Sequence, residues 1–301
     1  MNGFLQSNFI DHVRKAALYL TLLVVTFFIC FPLLWALSTS LKPTTEIFAT
    51  PPTLIPDNYS LEQYESLIYG KDMYFVPGVK YRPKTSPPQY FLSWFMNSII
   101  VTLGSTLISV TVSTLAAYSL TRFRYWGRQF IPYFSLLGYM VPSIIFIFPL
   151  FLVMANLGLT NNLWSLVLGY VSITLPFCMW LMWAFFRGIP IELEEAALID
   201  GASRLRVFVE IVLPLAMPGI IAAFIFSTIV AWNDYLFARI FMNSIQKLTL
   251  TVGVMHFFEG MHVNWGLMMA SAVMMTLPLA VLFMVVQRHL VAGFGAGAVK
   301  G

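Results

Sequence analysis

Long uncharged apolar runs constrain this chain more than any other feature. Ala16–Leu37, Trp94–Leu120, Gln129–Met154, Leu163–Phe186, Leu215–Phe237 and Gly266–Gln287 carry a single charge between them, Asp234. Each is long enough for a helix to cross a hydrocarbon core of about 30 Å, which takes about 20 residues. Of the 301 residues 59% are hydrophobic and 10% charged, against roughly 25% charged in soluble domains. Transmembrane strands of about ten alternating residues do not fit such runs. The expected fold class is therefore an all-α integral membrane protein with six transmembrane helices.

Arg14 and Lys15 ahead of the first run, and Ala36-Leu37-Ser38 at its end, mimic a secretory signal. A signal core is about 7–15 residues, however, so the run is expected to stay as a span. Cys30 and Cys178 both lie inside apolar runs, which excludes an exposed disulfide framework and any metal-ligand spacing. The net charge of +4 comes from scattered bases and not from one patch, so no nucleic-acid partner is expected.

Charge sets the expected orientation. Arg122, Arg124, Arg128, Arg187, Arg204 and Arg206 follow the even-numbered spans, and Arg14, Lys15, Arg288 and Lys300 lie near the ends. The positive-inside rule puts these segments and both termini in the cytoplasm. Residues 1–15 are then a cytoplasmic N-terminus, 16–38 the first span and 39–92 a long external loop. Residues 93–290 form the core with the remaining spans, and 291–301 a cytoplasmic tail. In the external loop, Ser60 is expected to cap a short helix over Leu61–Ile68. The bases Lys71, Lys80, Arg82 and Lys84 face only Asp72 in the Gly70–Gln89 flap, which suits an acidic partner or an anionic oligosaccharide.

The segment between the fourth and fifth spans, residues 190–213, carries the mechanical signal. Pro190 followed by Glu192, Glu194 and Glu195 suits a helix N-terminus, and Leu193, Ala196 and Ala197 fall on one face. Gly201 can take the left-handed conformation that stops this helix, so that a second one leads through Arg204 into the membrane at Leu213-Pro214. The outcome is a helix-turn-helix. Its small alanines permit close approach by another protein, and Glu195 and Asp200 offer carboxylates to arginines there.

The pattern Glu195-Ala196-Ala197, three residues, Gly201, nine residues, Ile211-x-Leu213-Pro214 resembles the EAA loop of ABC importer permeases. Trp232-Asn233-Asp234-Tyr235 and the tail from Gln287 to Gly301 narrow the likeness to the smaller permease of maltose-type carbohydrate importers. The resemblance implies a cytoplasmic coupling helix docking on an ATPase through Glu194, Glu195, Ala196, Ala197, Asp200, Gly201, Arg204, Ile211, Leu213 and Pro214. It implies a second, homologous permease, two ATPase subunits and a periplasmic solute-binding protein as partners in the inner membrane. ATP and Mg would bind on the ATPase subunits, with no cofactor, catalytic residue or metal in this chain.

By the same resemblance, Gly295, Gly297 and Lys300 in a flexible tail reach the ATPase. The loop containing His256, Glu259, His262 and Asn264 reaches the binding protein and helps release sugar. The three-residue spacing of His256, Glu259 and His262 also suits a zinc helix, although such steps fan side chains around the axis. Asn156, Asn161, Asn233 and Asp234 are candidate pathway groups near the external ends. Ser105, Ser109, Thr111 and Ser113 read as small helix-packing residues. Rival functions are an importer of other cargo, such as a peptide or polyamine, a secondary transporter and a membrane enzyme. The sequence lacks the inverted repeats and midplane charges expected of a secondary transporter. It also lacks the phosphate-cradling and nucleophile motifs of an enzyme.

Overall fold

The computed structural model describes residues 2–70, 87–258 and 263–297. Among them the regular elements are helical: α1 (Asn2–Ser40), α2 (Thr44–Ile47), α3 (Glu62–Tyr69), α4 (Phe91–Arg122), α5 (Ile131–Met140), α6 (Ser143–Asn156) and α7 (Leu163–Arg187). There follow α8 (Glu192–Ile199), α9 (Arg204–Val207), α10 (Leu213–Asn233), α11 (Leu236–Phe241), α12 (Leu250–Gly253) and α13 (Trp265–Gly297). The chain divides into two compact units, Met1–Gln89 with Phe257–Thr276, and Tyr90–His256 with Leu277–Gly301.

Among the described residues, five helical stretches are long and apolar enough to cross a bilayer: Arg14–Ser40, Pro88–Arg122, Leu163–Arg187, Arg204–Asn233 and Trp265–Gln287. The third expected crossing, Gln129–Met154, is broken, and it makes a sixth span when its two helices are taken together. It consists of α5 and α6, whose axes meet at 100°. Proline chemistry accounts for the break. The residue before a proline is pushed out of the helical region, and both Val141 (φ −71, ψ 128) and Pro142 (φ −53, ψ 124) are extended. Prolines inside other spans, such as Pro176 in α7, leave their helices continuous.

In the first unit a polar network ties the end of α1 to the loop after it. Lys42 is buried, donates to the Thr53 carbonyl and lies 5.2 Å from the centre of the Trp35 ring. The Glu46 carboxylate accepts from the Asp57 amide at 2.9 Å, the Thr53 hydroxyl at 2.8 Å and the Asn58 amide at 3.3 Å. These bonds, the Asp57 amide foremost, hold its carboxyl below the usual value. The short helix expected at Leu61–Ile68 is present as α3, but Leu61 and not Ser60 is its N-cap residue; Ser60 sits one residue earlier, its hydroxyl accepting from the Glu62 amide at 3.2 Å. Lys71, Lys80, Arg82, Lys84 and Asp72 lie outside the described residues.

In the second unit α4 is the spine. Ser98, Ser105, Ser109 and Ser113 form a buried stripe along it, and α7 and α10 pack against α4. Small residues let helix backbones approach closely where lipid supplies no hydrophobic drive. Ser109 and Thr174 share a hydrogen bond of 2.8 Å across the α4–α7 seam. At the start of α4 the Trp94 indole is fully buried and donates to the Ile245 carbonyl at 2.6 Å, while Ser98 accepts from the Leu250 amide at 2.7 Å. The loop after α11 is thereby fastened to the spine.

Gly253 makes that fastening possible, because a Cβ there would come within 2.2 Å of the Trp94 ring. Trp94 is pinned by its own hydrogen bond and cannot yield cheaply. Gly253→Ala should cost about 1–3 kcal/mol by overpacking. The expected result is a lower midpoint of thermal unfolding in detergent; an unchanged midpoint would contradict this packing.

Candidate functional site

The helix-turn-helix expected from the sequence is formed by α8 and α9. Gly201 has φ +86, and the Ala202 and Gly201 amides donate to the Ala197 and Leu198 carbonyls at 3.0 and 3.1 Å. This is a Schellman ending, which a left-handed glycine supplies without a Cβ clash. Ser203 then caps α9, its hydroxyl accepting from the Arg206 amide at 3.3 Å. A π-helical turn, Phe208–Val212, carries α9 into α10.

The orientation of α8 differs from the face expected from periodicity. Ala197 and Leu198 pack inward on a core that includes Phe186, Val207, Val212 and Ala216. Leu193 and Ala196 point outward, as do Glu195 and Asp200. Ile199 is 85% exposed, and Leu205 just beyond the turn 73%. The loop therefore presents an apolar surface edged with carboxylates. Arg204 is exposed, with its guanidinium 5.9 Å from the Phe123 ring centre. Ile211 and Leu213 are half-buried and Pro214 is exposed at the start of α10.

Glu194 is what turns α8 this way. Its side chain is 7% exposed and one carboxylate oxygen accepts from the Arg122 Nε at 2.5 Å. The other accepts from the Tyr118 hydroxyl at 3.2 Å. Arg122 also donates to the Phe186 and Ile189 carbonyls at 3.3 and 3.1 Å, where α7 ends. One guanidinium thus ties α4, the end of α7 and α8 together. Helical periodicity missed this pairing, because Arg122 reads equally well as a topology charge; its one visible signal was an arginine placed at the very end of a span.

The candidate pathway groups are mostly used in holding loops. Asn161 sits at φ +53; its side-chain oxygen accepts from the Asn243 and Ser244 amides at 3.1 Å, and its amide nitrogen donates to the Ser244 hydroxyl at 2.7 Å. It clamps two loops. Asp234 accepts from the Tyr170 hydroxyl at 2.8 Å and from the Ala238 amide at 3.2 Å, which starts α11. Burial raises its carboxyl above the usual value, while the Tyr170 hydroxyl and α11 amides oppose that rise. Asn233 bonds back to the Ile229 carbonyl at 2.9 Å, and Asn156 is exposed at the end of α6.

His256 stacks on Trp94 with ring centres 6.0 Å apart. Asn264 caps α13, accepting from the Leu267 amide at 3.0 Å. Glu259 and His262 lie outside the described residues, and among the described ones no group of three or more His, Cys, Asp or Glu is placed to hold a metal. Gly295 and Gly297 belong to the last turns of α13 instead of to a flexible tail, and Lys300 is outside the described residues. A glycine costs a helix only about 1 kcal/mol, which a helix of 33 residues absorbs by cooperativity.

Residues 109–295 match the family described as the binding-protein-dependent transport system inner membrane component. The chain belongs to that family. This permease is 35% identical over 271 residues to the inner membrane ABC transporter permease protein YcjP of Escherichia coli, covering 90% of this chain and 91% of that protein. It is 32% identical over 294 residues to the trehalose/maltose transport system permease protein MalG of Thermococcus litoralis, covering 97% and 99%. In fold it is similar to a chain of a bacterial ABC transporter that imports the acidic polysaccharide alginate. There the TM-score is 0.74 at 22% identity, covering 92% of this chain and 96% of that one. The permease is a multi-pass membrane transport subunit.

The ion pair at α8 is buried on both sides, 8% and 7% exposed. Removing one partner of such a pair costs about 3–5 kcal/mol, while replacing both with apolar residues is often neutral. Glu194→Ala should speed hydrogen exchange of the amides from 192 to 202, and Arg122→Met with Glu194→Leu should restore most of the protection. Equal protection in the parent and Glu194→Ala proteins would contradict the tie.

Proposed function

We propose that this permease is one half of the membrane channel of an importer that carries a saccharide or oligosaccharide into the cell. Its relatives support the cargo: the names of several refer to trehalose, maltose, diacetylchitobiose and galactooligosaccharides. A second, homologous permease completes the channel, and a solute-binding protein delivers the sugar from outside. ATP is hydrolysed with Mg on two cytoplasmic ATPase subunits, so this chain performs no chemistry of its own. The bases that follow α4, end α7 and lie within α9 favour a cytoplasmic loop and cytoplasmic termini in a bacterial inner membrane.

The observation that carries the proposal is the outward face of α8. Leu193, Ala196, Ile199 and Leu205 form an apolar surface with Glu195 and Asp200 at its border, on a loop anchored from behind by Arg122. A face of that kind suits insertion into a cleft of the ATPase, whose arginines would meet the carboxylates. Movement of the ATPase then moves α8, and Arg122 passes the movement to α4 and to the end of α7. Asn264, His256 and their neighbours form the external loop that meets the binding protein, and Gly295, Gly297 and Lys300 lie toward the ATPase.

Reversing an interface charge changes both encounter and retention. In the complete importer reconstituted in liposomes, Glu195→Lys should lower sugar uptake by about tenfold or more while the ATPase subunits still hydrolyse ATP. Uptake equal to that of the parent complex would overturn the docking role.

A further inference from the structure

The break between α5 and α6 opens a cavity of about 670 Å³, within the roughly 300–1,000 Å³ of small-ligand sites. Its walls come from both broken ends, from the middle of α7 and from Val230 of α10. Non-helical backbone at membrane depth is tolerated where it lines a protein-enclosed or water-filled space. In secondary transporters, discontinuous helices form cargo sites because their freed backbone groups face the bound molecule, and the same freed groups are present at this break.

The lining carries hydroxyl groups with hydrogen-bonding capacity to offer a ligand. The hydroxyls of Tyr139 and Ser143 have no hydrogen-bond partner among the described residues. An unpaired hydroxyl in hydrocarbon is costly. Pro176 has no amide to give the Ser172 carbonyl, and both residues line the cavity. The Ser172 hydroxyl donates to the Gly169 carbonyl at 2.6 Å and keeps its acceptor lone pairs. The ends of α5 and α6 leave further backbone groups outside the helical ladder, of which the Gly138 carbonyl accepts from the Val141 amide at 3.4 Å and the Ile145 amide donates to the Pro142 carbonyl at 3.0 Å.

Beside these polar groups stand the Tyr139 and Phe146 rings. Tyr139 is held by Phe177 and Phe226, with ring centres at 5.1 and 5.8 Å, and remains 37% exposed. Among the described residues no Asp, Glu, Lys or Arg lines the cavity. Aromatic faces with scattered hydroxyls and carbonyls suit a molecule that has apolar C–H faces and many neutral hydroxyls.

We infer that this cavity is where the subunit contacts its cargo in transit, and that it favours an uncharged pyranose ring, Tyr139 stacking on the ring while Ser143 and Ser172 meet its hydroxyls. The inference rests on the saccharide-importer reading and adds to it a location and a charge preference. It places the contact at the helix break and not at Asn161 or Asp234, which are occupied in loop clamps. It also runs against the anionic cargo suggested by the bases of the external flap.

The test uses the complete importer in liposomes with its binding protein, offered maltose, trehalose, diacetylchitobiose and an alginate pentasaccharide. Tyr139→Ala should lower uptake about tenfold, Tyr139→Trp should retain it, and ATP hydrolysis stimulated by the binding protein should stay within about twofold of the parent in both. Ser143→Cys should react with a water-soluble maleimide above the baseline set by Cys30 and Cys178, and a neutral disaccharide that the parent imports should slow the reaction during turnover.

If Ser143→Cys never reacts while the parent complex imports sugar, the cavity is filled by lipid or by the second permease and the inference is overturned. It is equally overturned if Tyr139→Ala leaves uptake unchanged, or if the parent imports only the acidic oligosaccharide. A parent complex that imports none of the four sugars removes the saccharide reading, and the inference with it.

Discussion

Charge held out of water is permitted only where it is fully answered, and at the end of the bundle that carries α8, Arg122 and Glu194 answer each other. The guanidinium also donates to two carbonyls where α7 ends, one from each terminal nitrogen, and the carboxylate takes a further bond from Tyr118. With those groups satisfied, α8 has one orientation available to it. Ala197 and Leu198 face the core, and the rest of its apolar surface is left outward. A loop stapled in this manner behaves as part of the bundle and not as a loose connection. Its anchor, Arg122, joins it to α4 and to the end of α7.

A second polar layer does similar work at the opposite ends of the helices. Asn161 joins the α6–α7 loop to the segment after α11, and Asp234 accepts from Tyr170 while starting α11. Trp94 and Ser98 fasten that segment to α4. Between the two layers lie serine and threonine side chains and close helix seams, where fit and not charge sets the arrangement. The break between α5 and α6 is the exception: there the backbone departs from helix and leaves room beside α7.

Much of this was legible in the sequence. Membrane residence followed from the apolar runs, and Gly201 announced the left-handed turn that ends α8. The short helix after Ser60 and the packing role of Ser105, Ser109 and Ser113 were also readable. Single-chain periodicity did not reveal which side of α8 faces the core, because that is decided by a partner 72 residues away in Arg122. The 100° break was hidden for a related reason. A proline inside an apolar run reads alike at 142 and at 176, yet only at 142 do two consecutive extended residues end the helix. Asn161 and Asp234 drew attention as costly polar groups, and they are costly; their expense goes into holding loops in place.

The π turn at Phe208–Val212 gives the connection between loop and membrane a property that an unbroken α-helix lacks. Such a turn accommodates one residue more than its α counterpart, and each residue subtends about 100° around the axis. Taking up or releasing that slack would screw α10 about its own length with little change in hydrogen-bond count. A push on the loop can therefore emerge inside the bilayer as a twist, repointing the side chains of α10 without a large sideways sweep through lipid.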